Sequence, residues 1–194
     1  MTSKKRIYLV QDLQNFKLPP GFRGKSAWFV QLWWIVQATL FRMSPQFMYG
    51  WRNFLLRVFG ARIGTGVLVR PSARITYPWK LEIGDSSWIG DEAVLYSLTQ
   101  IVIGCNVSIS HRCYLCAGSH DYTKKDFPYI VNPTSTQILV EDEVWLANDV
   151  FVGPGVRIGN GAVVGARSTV FSSLPPMMVC HGNPAKPVKA RVMS

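Results

Sequence analysis

The sequence predicts a mainly β protein: a solenoid of short parallel strands, led by a helical cap and interrupted by one long loop. Three observations predict it. Aliphatic residues recur every six positions through most of the chain after residue 60. Departures from that beat follow only the third repeat of a set. The first sixty residues follow another pattern and hold thirteen of the twenty-four aromatic side chains.

Those sixty residues form the cap. Residues 27–41, with Trp28, Trp33 and Trp34 and scattered Gln31 and Gln37, read as a strongly apolar helix. Ser44-Pro45 has the form of an N-cap followed by a first-turn proline. Phe47, Trp51, Phe54, Leu55 and Val58 follow helical spacing, with Arg52, Asn53 and Arg57 mostly off that stripe. Gly60 is the expected stop. Such a helical pair is expected to cover the open strand edge of the first coil.

The repeat region spans 61–175. Its beat runs Ile63, Val69, Ile75; Ile83, Ile89, Leu95; Ile103, Ile109, Leu115; then Val140, Leu146, Val152, Ile158, Val164 and Val170. A six-residue unit supplies one flat face and one tight turn, so three units close a triangular coil and fifteen make about five coils. The aliphatic residue and the small or β-branched residue four places on point inward. Glycine often follows the aliphatic residue, and is expected to give the corner its backbone freedom. Two-residue insertions after the hexads of Ile75 and Leu95, and the long loop at 121–139, fall on one corner. Residues 176–194 read as a basic exit segment.

The net charge of +10 lies at the two ends: +8 in residues 1–60, −1 in 61–170 and +3 in 171–194. No recognition motif accompanies the charge, so a nucleic-acid partner is not expected. The Trp-rich, basic front suits helix packing within or between subunits, and also an anionic membrane surface. No apolar run reaches the ~18 residues of a membrane span. The stretch 8–16, broken by Gln11, Asp12 and Gln14, makes a poor signal peptide, so a cytoplasmic protein is expected, with peripheral membrane contact as the variant. Four cysteines do not make a disulfide scaffold. Cys113 and Cys116 form a CxxC, but one falls inward and the other at a corner, so no metal site is expected.

Three histidines are available as a base. His120 sits where the hexads stop and the loop begins, at a strand end from which a side chain can reach a ligand. His111 lies outward in mid-hexad and is the rival, while His181 falls in the exit segment. An imidazole suits the removal of a proton from an attacking hydroxyl near neutral pH.

The hexads, the segment GSHDY at 118–122, the run VWLANDVFVGPGVRIGNGAVVGARS at 144–168 and the ending GNPAKP at 182–187 resemble the hexapeptide-repeat acyltransferases. QDLQNF, FRGKS, QLWWIVQATLF and TYPWK resemble a narrower branch, the colanic-acid-type acetyltransferases of exopolysaccharide clusters. The resemblance implies a left-handed parallel β-helix and a homotrimer. It also implies acetyl-CoA as acyl donor, a sugar hydroxyl as acceptor and His120 as the base, with direct transfer in a ternary complex. Trp145, Ala147, Asn148, Gly165 and Ala166 would line the pantetheine arm, and Lys186, Lys189 and Arg191 would meet the nucleotide phosphates. Phe171 stands where relatives often carry a small hydroxyl residue, which puts the adenine-end contacts in question. Ser119 and Asp121 flank the base on the acceptor side, where a backbone amide near Gly118 or Ser119 could receive the oxyanion. Relatives also place an asparagine near the acceptor. Here that region reads Ile89-Gly90-Asp91-Glu92, leaving Asp91 and Glu92 as the candidates. Two other functions stay open on the residues: an inert glycan-binding solenoid and a xenobiotic O-acetyltransferase.

Overall fold

The computed structural model describes residues 10–130 and 132–193. The basic start of the chain, residues 1–6, lies outside them. Helix α1 (Ala27–Val36) opens on Ser26, whose Oγ accepts from Phe29 N, and runs on through a π-type turn at Gln37–Phe41. Helix α2 (Tyr49–Val58) follows. Three of the five complete coils come next. They are β1 (Arg62–Ile63), β2 (Leu68–Val69), β3 (Arg74–Ile75); β4 (Leu81–Ile83), β5 (Trp88–Ile89), β6 (Val94–Tyr96); and β7 (Ile101–Ile103), β8 (Ser108–Ile109), β9 (Tyr114–Cys116). The long loop carries β10 (Ser119–His120), β11 (Tyr129–Ile130) and a single helical turn, α3 (Pro133–Thr136). The stack resumes with β12 (Ile138–Val140), β13 (Trp145–Leu146), β14 (Phe151–Val152), β15 (Arg157–Ile158), β16 (Val163–Val164) and β17 (Thr169–Val170). β18 (Met178–Gly182) and β19 (Ala185–Ala190) close the chain.

Every third strand stacks in parallel, giving three faces. The aliphatic columns stay in register across the insertions, for instance Val69–Ile89–Ile109–Leu146–Val164–Cys180 on the second face. All six are buried. Each buried Ile, Leu or Val contributes about 1.5–3 kcal/mol of transfer free energy, and the unbroken column makes this contribution additive along the prism. The stack also runs further than the hexad spacing indicates. Leu174 bridges to Ile158 and β18 pairs with β16, giving a partial sixth coil, on which β19 folds back antiparallel.

The glycines work differently from the expectation. The residue with positive φ lies three places after the aliphatic one, and it is often not glycine: Ser86, Glu92, Asn106, Arg112, Glu143, Asp149 and Arg167. The glycine directly after the aliphatic residue is needed for closeness instead. A Cβ on Gly84 would sit 2.6 Å from the Gly104 carbonyl carbon, and one on Gly90 2.7 Å from His111 N. Coils stacked at strand spacing leave no room for it.

The cap also departs from the stripe reading. Ser44 does not cap α2. Its Oγ donates to Phe41 O and accepts from Arg52, inside a turn that delays the helix to Tyr49. Arg52 and Asn53 are buried, whereas Phe47, Phe54 and Val58 are exposed. The reason is what α2 packs against. The first coil presents unpaired strand carbonyls, and an apolar helix face would leave them orphaned. Arg57 donates to Ile63 O and Gly64 O, Asn53 to Val67 O, and Arg52 to Val69 O. On the third face Trp33 Nε1 donates to Ile75 O, and Gln37 Oε1 accepts from Ile75 N. Gly60, at φ +92°, ends the helix as expected.

Candidate active site

The corner between the third and first faces carries all the irregular chain. Its long loop folds into a hairpin in which Ser119 pairs with Ile130 and His120 with Tyr129. The turn is held by Asp121, whose carboxylate accepts from Thr123 N at 3.0 Å and from Thr123 Oγ1 at 2.5 Å. Those bonds, with Lys124 behind them, hold its pKa below the usual carboxylate range. The Asp121 carboxylate is therefore engaged by the turn itself, and Ser119 is half-buried in the strand.

His120 is half-buried and fixed on two sides. Its ring stacks on Phe127 with centroids 4.4 Å apart and leans on Tyr129 at 4.0 Å. Its Nδ1 lies 2.8 Å from the Phe127 carbonyl oxygen. A carbonyl can only accept, so Nδ1 carries a proton, and of the two neutral tautomers this contact selects the one whose lone pair is on Nε2. The front of the chain braces the hairpin from outside. Asp12 N donates to Lys125 O, Phe16 packs edge-on against Tyr129, and Phe22 stacks on Tyr129 at 4.6 Å. Below it Lys80 Nζ donates to Phe22 O and Leu98 O, and burial lowers its pKa. A cavity of about 350 Å³ opens on this corner, lined in part by Phe22, Lys80, Thr99 and Gln100.

The cofactor candidates lie elsewhere on the prism, along the second face and the corner that follows it. Trp145 is 46% exposed, stacks in register between Ser108 and Val163, and donates from Nε1 to Ser110 Oγ. Ala147 N donates to Val164 O, and Arg167 N to Asn148 O, so 145–148 and 165–166 occupy adjacent coils. Ala166 is exposed, and a Cβ on Gly165 would press on His181 Cβ at 2.9 Å. The second face then continues into the ribbon of β18 and β19, where Lys186 and Lys189 are exposed. Arg191 braces that ribbon, since its Nη1 donates to Glu143 O and Gly161 O. Phe171 is exposed and leans on Phe151.

Asp91 and Glu92 lie on this same corner, two coils before Trp145, and not beside His120 of their own chain. Asp91 accepts from Ser72 Oγ, approaches Arg70 Nε at 3.4 Å, and lines a groove of about 390 Å³ with Trp88 and His111. Glu92 is exposed, beside Arg42, Arg74 and Arg112. Within one chain, then, Ser119, His120 and Asp121 stand on one edge of the prism, while Asp91, Glu92 and the cofactor candidates lie along the second face and the corner after it. Cys113 is buried, its Sγ donating to Ala147 O at 3.0 Å, and desolvation pushes the thiol up to about 11. Among the described residues no group of three or more His, Cys, Asp or Glu is disposed to hold a metal ion.

No protein-family model matches the chain. Individual proteins do. The chain is 55% identical over 183 residues to the colanic acid biosynthesis acetyltransferase WcaF of Escherichia coli (strain K12), covering 94% of this chain and 98% of that one. The chain belongs to the colanic-acid-type acetyltransferases, a branch of the hexapeptide-repeat family.

Solved structures share the acetyltransferase's fold. The galactoside acetyltransferase in complex with coenzyme A superimposes at a TM-score of 0.77, with 20% identity, 91% of this chain and 85% of that one. The hexapeptide-repeat acetyltransferase VCA0836 of Vibrio cholerae O1 biovar eltor, complexed with acetyl coenzyme A, gives 0.76, with 23% identity, 88% and 92%. Among the described residues no helix of the acetyltransferase is long and apolar enough to cross a membrane.

The residues that hold His120 carry little signal in the sequence. Phe127 acts through its backbone carbonyl, which no side-chain pattern reports. Tyr129, in the segment read as loop, and Phe16, in the segment read as cap, left only a faint signal as aromatics outside the repeat.

Proposed function

We propose that this acetyltransferase moves the acetyl group of acetyl-CoA to a sugar hydroxyl of a glycan or exopolysaccharide precursor, with His120 as general base. One observation carries the reading: the Phe127 carbonyl fixes the Nδ1–H tautomer and leaves Nε2 as a free acceptor on a rigid ring. The acceptor hydroxyl gives its proton to Nε2 as its oxygen attacks the thioester carbonyl. The C–S bond then breaks, and the departing sulfur takes that proton back from the imidazolium. No protein-bound acyl group is needed. Cys113 supports this, because a buried thiol with a raised pKa is a poor nucleophile.

The donor reading rests on shape and charge. Ala147, Gly165 and Ala166 are small residues on adjacent coils beside Trp145, so a pantetheine arm laid there would come close to the backbone amides near Asn148. Lys186 and Lys189 lie further along the same face and suit the nucleotide phosphates. Arg191 contributes by holding the ribbon that carries them. Because base and donor residues occupy different edges of one prism, the reading requires neighbouring copies, and a cyclic trimer joins His120 of one chain to the donor residues of the next. Asp91 and Glu92 would then face the acceptor from the neighbouring corner. The sugar acceptor follows from the relative's name, colanic acid being a polysaccharide.

The test is His120→Ala, assayed by free-thiol release from acetyl-CoA with nucleotide sugars, lipid-linked saccharides and xenobiotic alcohols as acceptors. The turnover rate should fall about 10²–10⁴-fold while CoA binding by calorimetry stays unchanged. A near-wild-type rate would remove His120 from the chemistry.

A further inference from the structure

The outward side of the cap is apolar. On α1, Trp28, Leu32 and Ile35 share one helical face and are exposed, with Trp34 beside them. Leu40, Met43 and Phe47 continue the exposure through the turn, and Phe54 and Val58 extend it along α2. Trp28 is 86% exposed and Phe47 78%. So many large apolar side chains on one element mark a surface that something covers.

Charge indicates what covers it. Between Asp12 and Glu82 the chain has ten Lys and Arg and no acid. Arg52, Arg57 and Lys80 are spent on backbone carbonyls. Lys25 stands exposed just before α1, and Arg42 stands exposed at the end of its π-turn. A second copy laid on this face would bring these cations together with no carboxylate on α1, its π-turn or α2 to separate them. An anionic lipid surface attracts them, while Trp and apolar side chains enter the boundary between headgroups and acyl chains.

We propose that the outward face of α1, with the turn that follows it, lies on an anionic bilayer. Trp28, Leu32 and Ile35 enter the interface, and Lys25 and Arg42 meet lipid phosphates. The position in the fold suits this. α1 and α2 hydrogen-bond to the open edges of β3, β2 and β1, so the cap closes one end of the prism and leaves its side faces free for other subunits. The inference stands independently of the acyl-transfer reading, since Trp28, Leu32, Ile35 and Lys25 lie outside the proposed site; Arg42 borders Glu92, so the activity control uses the apolar residues alone.

Cosedimentation of the full chain with vesicles of phosphatidylcholine alone, and of phosphatidylcholine with phosphatidylglycerol, tests it. Binding is expected only to the anionic vesicles, with tryptophan emission shifting to the blue. Each Lys or Arg at such a surface strengthens binding about fivefold, so Lys25→Gln with Arg42→Gln should weaken it about 25-fold. The triple variant Trp28→Gln, Leu32→Gln, Ile35→Gln should abolish binding and leave acetyl transfer to a water-soluble acceptor unchanged. Equal binding to neutral vesicles, or none to either, would overturn the proposal. If the wild-type chain ignores lipid and the triple variant changes the oligomeric state, the face is a subunit contact.

Discussion

The two corners that matter are built from the same hexads and differ in what interrupts them. The corner after the second face has no insertion. Its positions stack with unbroken register, and a ladder of Arg70–Asp91 and Arg112–Asp149–Arg167 pairs runs down it. The corner after the third face takes every insertion, and there the chain leaves the prism, forms a hairpin and is braced by aromatics from residues 12–22. Regular stacking yields a straight, repeating edge, the kind of surface the proposed extended donor needs. A single reactive side chain, held by contacts that occur once, needs the irregular corner.

Filling the regular corner should have the largest effect. Ala166→Trp puts an indole among the proposed donor residues, so KM for acetyl-CoA should rise tenfold or more with the turnover rate at saturation little changed. An unchanged KM would move the donor off this face. Next comes a stability contrast between the corners. Gly90→Ala sets a Cβ against the Ser110–His111 backbone, which cannot yield, whereas Gly118→Ala meets only side-chain atoms, Leu98 Cδ1 at 2.8 Å with Cβ and Cγ just beyond, which can shift by a rotamer change. Thermal or urea unfolding should show a loss of about 1–3 kcal/mol for the first and distinctly less for the second. Equal losses would mean that the regular corner is no tighter than the irregular one. The smallest effect is expected from Lys186→Gln with Lys189→Gln. Both side chains are exposed, so KM for acetyl-CoA should rise only a few-fold, and the difference should vanish at high salt.

The same contrast explains what could be read from the sequence. The prism was legible because a buried column repeats one chemical demand every six residues. The columns through Ile63, Val69 and Ile75 needed nothing else, and they ran on until Leu174 and Cys180 left the beat. The corner glycines were visible, but their purpose was not, because contact between coils leaves no trace in local spacing. Helix α2 was misjudged because its partner is a strand edge, which asks for donors such as Arg52 and Asn53 where a side-chain core asks for apolar residues. At the site, His120 stood out as a titratable side chain at the end of the repeat. Its anchor did not, since the Phe127 carbonyl belongs to the backbone. Nor could spacing alone show that Asp121 is occupied by its own turn.

In the proposed assembly the base on one corner serves the donor residues on the other corner of a neighbouring chain. Mixing His120→Ala and Ala166→Trp subunits checks this at acetyl-CoA well below the wild-type KM. There the first alone lacks the base, and the second alone runs at about a tenth of the wild-type rate or less. In randomly reassembled trimers about a quarter of the sites would pair an intact His120 with intact donor residues, so activity should return to about a quarter of the wild-type rate. A mixture as inactive as its parents would show that His120 and the donor residues serve the same chain, and would contradict the account.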